Sequence, residues 1–197
     1  MNFLAHAFLS GDNKDLIIGN FIADAVKGKD FKNYRDGVIR GILLHRKIDT
    51  FTDHHKVVAL TKSRLRDDFG KYASVVSDIY YDHFLALHWK EYSQESLENF
   101  TQNIYHIIQS ELELLPEEVK HFFPYMVKQN WLYNYQFFHG LERVFNGMSR
   151  RARFDSHMEN GVLALKEQYA DFEKDFLEFF PQLQEYVRDC LNQDLQN

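Results

Sequence analysis

Glycine and proline, the residues that most often interrupt helices, are scarce in this chain: 9 Gly and 3 Pro occur among 197 residues. A protein built from many strands and tight turns usually needs more of both. Apolar residues instead recur at helical spacing, as Val38, Ile42 and Ile48 illustrate. The sequence therefore predicts an all-α fold, a helical bundle in which residues 1–197 form a single domain.

Residues that start or end helices divide the chain into predicted segments. The predicted helices cover residues 2–10, 14–26, 35–53, 55–68, 74–91, 94–114, 125–130, 132–145, 158–179 and 183–191, and Pro116-Glu117-Glu118 is predicted to form the first turn of another. Ser93 is predicted to cap the start of one helix, and Asn146-Gly147 to end another. Pro124 and Pro181 are predicted to break or kink the helical path.

The overall charge is acidic, with a net charge of −6 and a pI near 5.9, which argues against general affinity for nucleic acid. One local exception is RVFNGMSRRAR, where Arg143, Arg150, Arg151 and Arg153 occur without an acidic residue. We predict that part of this segment is a loop. It is either an ordinary solvated face or a surface whose guanidinium groups bind a phosphate or an acidic protein.

The number of cysteines and the N-terminal segment indicate the cellular compartment in which the protein works. A single cysteine, Cys190, excludes an intramolecular disulfide and fits a reducing compartment. The first residues lack the basic region and small-residue cleavage site of a secretory signal, and no apolar run is long enough to cross a bilayer. We therefore expect a cytoplasmic protein that does not span a membrane.

The stretch GILLHRKIDTFTDHH places His45, Asp49 and Asp53 at intervals of four residues. On a helix these side chains share one face, and neighbouring pairs can converge on one cation. If all three residues bind metal, two ions are favoured. If only His45 and Asp49 do, Asp53 is a base, a helix cap or a group that contacts a ligand and not the metal. Alternatively, His45 is a core histidine, and the acids form surface ion pairs with Arg46 and Lys47.

A second stretch, SDIYYDHFLALHW, contributes Asp82 and His83 within an apolar, aromatic helix. Burying a carboxylate and an imidazole together is unfavourable unless something compensates, and a cation would compensate both. A hydrogen-bonded Asp–His pair with a structural role is the alternative. His6 and Asp24 add weaker signals, because each alone is more often a core residue or a helix-end charge.

Five motifs occur in order along the chain: MNFLAHAFLS, GNFIAD, LLHRKIDTFTD, YDHFLALHW and FNGMSRR. Together they make the chain resemble the acyl carrier protein phosphodiesterases over essentially its whole length. The resemblance implies hydrolysis of the phosphodiester that joins 4′-phosphopantetheine to a serine of holo-acyl carrier protein. It also implies a fold similar to HD-type phosphohydrolases and a divalent metal, expected to be Mn²⁺ with Mg²⁺ as an alternative.

The resemblance also implies roles for individual residues. The expected metal ligands are His6, Asp24, His45, Asp49, Asp82 and His83. Arg46 is expected to stabilise transition-state charge, Asp53 to act as a base or second-metal ligand, and Asp24 to take part in catalysis. The expected surface for the acidic carrier protein comprises Arg143, Arg150, Arg151 and Arg153. Two other functions stay open: an HD-like phosphohydrolase of a small nucleotide or other phosphoester, and a metal-free helical scaffold.

Overall fold

The computed structural model describes residues 1–194, none of which lies in a β-strand, and this confirms the all-α prediction. The α-helices, in chain order, are α1 Phe3–Leu9, α2 Lys14–Ile22, α3 Asp36–His54, α4 Lys56–Phe69, α5 Ala73–Leu87, α6 Trp89–Tyr92, α7 Leu97–Gln109, α8 Glu117–Lys128, α9 Trp131–Asn134, α10 Phe138–Arg151, α11 Gly161–Glu167 and α12 Tyr169–Asp194. Short 3-10 turns occur at Ala23–Ala25, Asp30–Asn33, Gly70–Tyr72, Leu112–Leu114 and Met158–Asn160. None of the helices in this range is long and apolar enough to span a membrane.

Helices α2 and α3 approach each other closely because glycines face each other where they cross. A Cβ atom added at Gly19 would lie 2.1 Å from the Val38 carbonyl oxygen and 2.8 Å from the Gly41 Cα. A Cβ atom at Gly41 would lie 2.5 Å from the Leu16 carbonyl oxygen. Only glycine permits backbones to pack this tightly. The crossing brings the end of α2 beside the middle of α3.

The core is centred on α5, whose aromatic side chains are buried on several sides. Tyr80, Tyr81 and Phe84 are fully buried. Helix α12 contacts α3, α4 and α5, and it contributes a series of buried phenylalanines. These are Phe172, Phe176, Phe179 and Phe180. Burying aromatic side chains of this size is a major source of the free energy that stabilises the fold.

Several predicted boundaries are wrong. Pro124 lies inside α8 and Pro181 inside α12, and neither interrupts its helix. Both prolines are exposed, so the carbonyl that each leaves without a partner lies on the solvent side of its helix. Ser93 does not cap α7, because Ser96 Oγ accepts the hydrogen bond from the Asn99 amide instead.

The end of the predicted helix 132–145 also differs. Helix α10 continues through Asn146-Gly147 to Arg151, while residues 131–134 form the separate helix α9. Asn146 Nδ2 donates to the Glu142 carbonyl oxygen at 2.7 Å, a contact that is compatible with helical backbone. Three of the four arginines predicted near a loop therefore lie on a helix, and Arg153 alone follows it.

Candidate metal centre

Three of the predicted ligands, His6, His45 and Asp49, meet where α1 and α3 approach each other. His6 Nε2 lies 3.2 Å from Asp49 Oδ1, and His45 Nε2 lies 3.0 Å from Asp49 Oδ2. One ligand atom from each residue lies within 4.8 Å of those from the other two. Two imidazoles and a carboxylate form a donor set that suits a divalent transition metal. We refer to these three residues as the His–Asp cluster.

The environment of His6 indicates that the cluster is suited to a cation. Its side chain is 3 % exposed; Nδ1 has no hydrogen-bond partner among the described residues, and Nε2 faces Asp49 Oδ1 at 3.2 Å without a well-aligned hydrogen bond. The ring stacks on His45, with 3.9 Å between centroids and 16° between planes. Because His6 Nε2 faces Asp49 without a well-aligned hydrogen bond, its lone pair is available to a cation held between the two side chains.

Asn20, which the sequence analysis did not assign to the site, orients His45 from the opposite side. Its amide nitrogen Nδ2 donates to the His6 carbonyl oxygen and lies 2.9 Å from Ser10 Oγ. Its side-chain and backbone oxygens therefore face His45 Nδ1, each at 3.0 Å. Because both neighbours of Nδ1 are acceptors, Nδ1 carries a proton, and the Nε2 lone pair is available to a cation once Nε2 is unprotonated.

Asp24 lies at the open edge of the cluster, on the turn that follows α2. One of its oxygens, Oδ1, lies 3.1 Å from His45 Nε2, while 79 % of its side chain is exposed. The hydrogen bond from His45 lowers the pKa of Asp24 below its usual value. Asp24 is thus an ionised carboxylate that touches both the cluster and solvent.

The pKa shifts within the cluster oppose one another. Burial raises the pKa of Asp49, but its contacts with His45 and His6 outweigh burial and hold that pKa well below its usual range. Burial lowers the pKa of His45, yet Asp24 and Asp49 together raise it to about 9. Burial and the neighbouring His45 lower the pKa of His6 to about 4. Without a cation at neutral pH, the cluster therefore contains a protonated His45, a neutral His6 and an ionised Asp49, with the ionised Asp24 at its edge.

Asp82 has other partners in the structure and is not part of the cluster. Its carboxylate accepts hydrogen bonds from the backbone amides of Leu4 at 2.8 Å, Ala5 at 3.2 Å and Asn2 at 3.3 Å. These amides form the first turn of α1, whose dipole also favours a negative charge there. Asp82 therefore anchors the helix that carries His6, and its placement argues against the predicted role as a ligand.

His83 likewise lies outside the cluster. Its Nδ1 is 2.7 Å from the Tyr135 carbonyl oxygen, and its Nε2 is 3.0 Å from the Tyr169 hydroxyl. Consecutive helical residues point about 100° apart, so Asp82 faces α1 while His83 faces α9 and α12. The placement corresponds to a structural role, in which His83 links three parts of the core.

Asp53 and Arg46 are also engaged elsewhere. The Asp53 carboxylate forms a 2.7 Å ion pair with Lys62 and is largely exposed. The Arg46 guanidinium donates to the carbonyl oxygens of Val26 and Gly28 and lies over the Phe31 ring. Neither placement supports the predicted catalytic roles.

Two cavities share one wall, and the inner one reaches Asp24 at the edge of the cluster. The inner cavity has a volume of about 490 Å³ and extends from Asp24 to α10. The outer cavity, of about 1070 Å³, is bordered by Arg143, Arg150 and Arg151. Residues common to both are Phe3, Phe122, Trp131, Met148 and Arg151. Arg153 borders neither cavity, and its guanidinium lies 5.5 Å from the Phe154 ring centre.

A second group of potential ligands, Asp155, His157 and Glu159, lies at the surface. All three side chains are exposed, and His157 Nδ1 is 3.4 Å from Asp155 Oδ1. Exposed acidic groups often lie this close without a ligand, so we assign them no role.

The chain is similar to one known protein family over most of its length. A sequence profile described as acyl carrier protein phosphodiesterase matches residues 1–183. The chain belongs to this family. The match confirms the resemblance that the five ordered motifs predicted.

Individual relatives in the acyl carrier protein phosphodiesterase family cover almost the same length. The chain is 32 % identical over 186 residues to a protein of that name from Photorhabdus laumondii, covering 94 % of each sequence. It is 29 % identical to the Serratia proteamaculans protein over 96 % of this chain and 98 % of the relative. A relative from Escherichia coli is 31 % identical, over 94 % of this chain and 96 % of that protein. No solved structure matches, so the likeness to HD-type phosphohydrolases stays a prediction.

Proposed function

We propose that the protein hydrolyses the phosphodiester between 4′-phosphopantetheine and a serine of holo-acyl carrier protein, which yields the apo-protein. Family membership along residues 1–183 is the observation that carries this proposal. The relatives named acyl carrier protein phosphodiesterase match along nearly their full lengths, which extends the similarity beyond one motif. The His–Asp cluster supplies side chains of the type that this hydrolysis requires.

The proposed cofactor is a divalent cation, Mn²⁺ or alternatively Mg²⁺, held by His6, His45 and Asp49. The position of His6 Nε2 beside Asp49 and the orientation of His45 by Asn20 support this assignment. Two imidazole ligands favour Mn²⁺ over Mg²⁺, which prefers oxygen donors. A cation bound there would neutralise phosphodiester charge and lower the pKa of a coordinated water.

Asp24 is the side chain that we propose for proton transfer or as a further ligand. It is ionised, it contacts His45, and it lines the inner cavity from which a substrate would approach. A carboxylate there can accept a proton from an attacking water, and the serine oxygen leaves with a proton when the ester bond breaks. Arg46 and Asp53 are not included, because both have other partners.

The proposed docking surface for the carrier protein is the arginine-bearing side of α10. Arg143, Arg150 and Arg151 border the outer cavity, where Glu142 is the acidic neighbour. Guanidinium groups in this arrangement favour an acidic partner and accelerate its approach at low salt. Arg153 follows the helix and lies against Phe154, so we assign it a smaller part.

The decisive experiment combines the purified protein, Mn²⁺ and holo-acyl carrier protein, and then determines the mass of the carrier. We expect the carrier to lose one phosphopantetheine group, and we expect His45→Ala and Asp49→Ala to abolish this loss. Asp53→Ala is the matched control, since it removes an acid of the same helix that is paired with Lys62. An unchanged carrier mass with metal-loaded wild-type protein would refute the proposal.

Reversing charge on α10 separates a protein substrate from a small phosphoester. We expect the Arg143→Glu, Arg150→Glu variant, whose two residues border the outer cavity alone, to lose turnover of holo-carrier, most clearly at low salt. Hydrolysis of a small chromogenic phosphodiester should stay within twofold of the wild-type rate. Equal losses with both substrates would indicate damage to the centre and would argue against docking on α10.

A further inference from the structure

The inner and outer cavities differ in the charges that line them. The inner cavity is bordered by Asp24, Asp78 and Glu118, with Arg151 as its guanidinium. Asp78 is paired with the nitrogen of Met1 at 2.9 Å and Asp24 with His45 Nε2 at 3.1 Å, so the lining carries three carboxylates against the Arg151 guanidinium and the Met1 ammonium. An acidic segment of a carrier protein would be repelled by these walls. A neutral ligand with amide and hydroxyl donors would not be repelled.

Aromatic side chains form the shared wall of the two cavities. The rings of Phe122 and Trp131 are nearly parallel, with 5° between planes and 6.3 Å between centroids. Phe3 packs on Phe122 at 5.6 Å. All three line the inner cavity. A wall of this kind favours contact with the aliphatic parts of a ligand.

Trp131 is held in position before any ligand binds. Its indole nitrogen donates to Gln129 Oε1 at 3.0 Å, and it follows Asn130, which adopts a left-handed conformation with φ 49°. The Asn134 side chain donates to the carbonyl oxygens of Gln129 and Asn130 at 2.9 and 3.0 Å. A ring that is fixed in this way loses little conformational entropy when it contacts a ligand.

We propose that the inner cavity binds the pantetheine arm of the substrate, with the phosphodiester end beside Asp24 and the far end against Phe122 and Trp131. This inference rests on the proposed function and adds the location of the arm. The arm is uncharged beyond its phosphate and alternates aliphatic segments with amides, which matches both the charge and the lining of the cavity. The volume of about 490 Å³ lies within the range usual for small-ligand sites.

Because acids line the inner cavity and arginines border the outer one, we expect the two parts of the substrate to bind at different places. The arm occupies the inner cavity, and the acidic carrier contacts the arginines that border the outer cavity. Variants on the aromatic wall should therefore raise KM by an amount that salt does not change. Variants of Arg143 or Arg150 should raise KM in a manner that depends steeply on salt.

The direct test is binding of free pantetheine, the arm without its phosphate, measured by calorimetry on the Mn²⁺-loaded protein. We expect saturable binding to wild type, at least tenfold weaker for Trp131→Ala, and weakened to a smaller degree for the milder Phe122→Leu. Phe137→Ala is the control, because Phe137 is an exposed aromatic residue that lines neither cavity. Circular dichroism establishes that each variant is folded.

Turnover of holo-carrier separates failure of this inference from failure of the proposed function. Wild-type protein that leaves holo-carrier intact refutes the function itself. Wild-type turnover combined with unchanged KM in Trp131→Ala and Phe122→Leu, or with no saturable pantetheine binding to wild type, overturns the assignment of the arm alone. A tenfold higher KM with kcat within twofold of wild type, in folded Trp131→Ala, supports it.

Discussion

Asn20 determines which nitrogen of His45 faces the other members of the cluster. Asn20→Ala removes one acceptor from Nδ1 and also removes the link to Ser10. We expect Mn²⁺ to bind about 10–100-fold more weakly, because partners of this kind hold a ligating histidine in its productive tautomer. Calorimetry measures the affinity, and ¹⁵N NMR of the imidazole reports the tautomer.

Ser10→Ala is the matched control for Asn20, since it removes a neighbour of the Asn20 amide but leaves the amide in place. Its loss of affinity should be clearly smaller than that of Asn20→Ala. Mn²⁺ affinity within twofold of wild type in folded Asn20→Ala would show that the backbone oxygen of Asn20 is sufficient.

A substitution at Asp82 tests whether this residue holds α1 in place or binds the metal. Asp82→Asn keeps one acceptor oxygen but replaces the other with an NH₂ donor, so either the Leu4 amide or the Ala5 and Asn2 amides lose their acceptor. We expect the free energy of unfolding to fall by about 1–3 kcal/mol, while the Mn²⁺ stoichiometry of the folded variant is unchanged. Urea unfolding and metal analysis of the dialysed protein measure the two quantities. Loss of stoichiometric metal would restore Asp82 as a ligand.

His83 should make stability depend on pH. Burial lowers its pKa below the usual value of 6.5, so below that pH the unfolded chain binds more protons than the folded chain. The contribution of His83 is therefore fully present above about pH 6.5 and is lost as pH falls toward the folded-state pKa. We expect wild type to lose more stability than His83→Gln between pH 7.5 and pH 5.5, measured by urea unfolding. Equal losses would contradict this prediction.

The sequence revealed site residues where a repeated spacing brought them together. His45 and Asp49 lie four apart on one helix, and the structure places them in contact. Asp82 was predicted to be a metal ligand, whereas its partners in the structure are backbone amides, which every residue except proline possesses and which leave no pattern in a sequence. Asn20 could have been found from its spacing of four to Asp24, but its contact with His45 depends on how α2 crosses α3.

Among the contacts between helices, the crossing of α2 and α3 matters most for the cluster, because it sets the position of Asn20 beside His45. Gly19→Ala would place a Cβ atom 2.1 Å from the Val38 carbonyl oxygen, so α2 and α3 would have to separate. We expect a loss of about 1–3 kcal/mol in unfolding free energy together with weaker Mn²⁺ binding. Thermal and urea unfolding measure the first effect, and calorimetry measures the second.

Gly147→Ala is the matched substitution within α10, where an added Cβ atom would meet no described atom within 4 Å. We expect it to leave stability unchanged or to raise it by up to about 1 kcal/mol, because alanine favours helix more than glycine does. Similar destabilisation by both substitutions would mean that close packing at Gly19 is not the cause.

Helices were easier to predict than their ends. Apolar periodicity predicted α3 and α4 to within one residue at each end, because buried residues recur along their lengths. Pro124, Pro181 and Asn146-Gly147 misled the prediction, since packing of the apolar face outweighs local preferences when the unfavourable residue faces solvent. That a single domain spans residues 1–197 stays a prediction.

For the whole molecule, binding of the cation should contribute to folding as well as to catalysis. The proposed ligands come from α1 and α3, which the chain assembles only when folded. Mn²⁺ at one hundred times its dissociation constant should then stabilise the folded state by about 2.7 kcal/mol. Thermal unfolding with and without a chelator measures this, and His45→Ala should abolish the difference.

His6 lies on a seven-residue helix at the beginning of the chain, while the other ligands of the His–Asp cluster lie on α3. A shared ion would cross-link His6 to His45 and so close a loop of the chain between residues 6 and 45. Removing the ion removes this cross-link, so the amide hydrogens of α1 should exchange with solvent faster in the metal-free protein than in the loaded protein, while those of α5 change little. The leading helix would thereby report, by mass spectrometry, whether the protein is loaded.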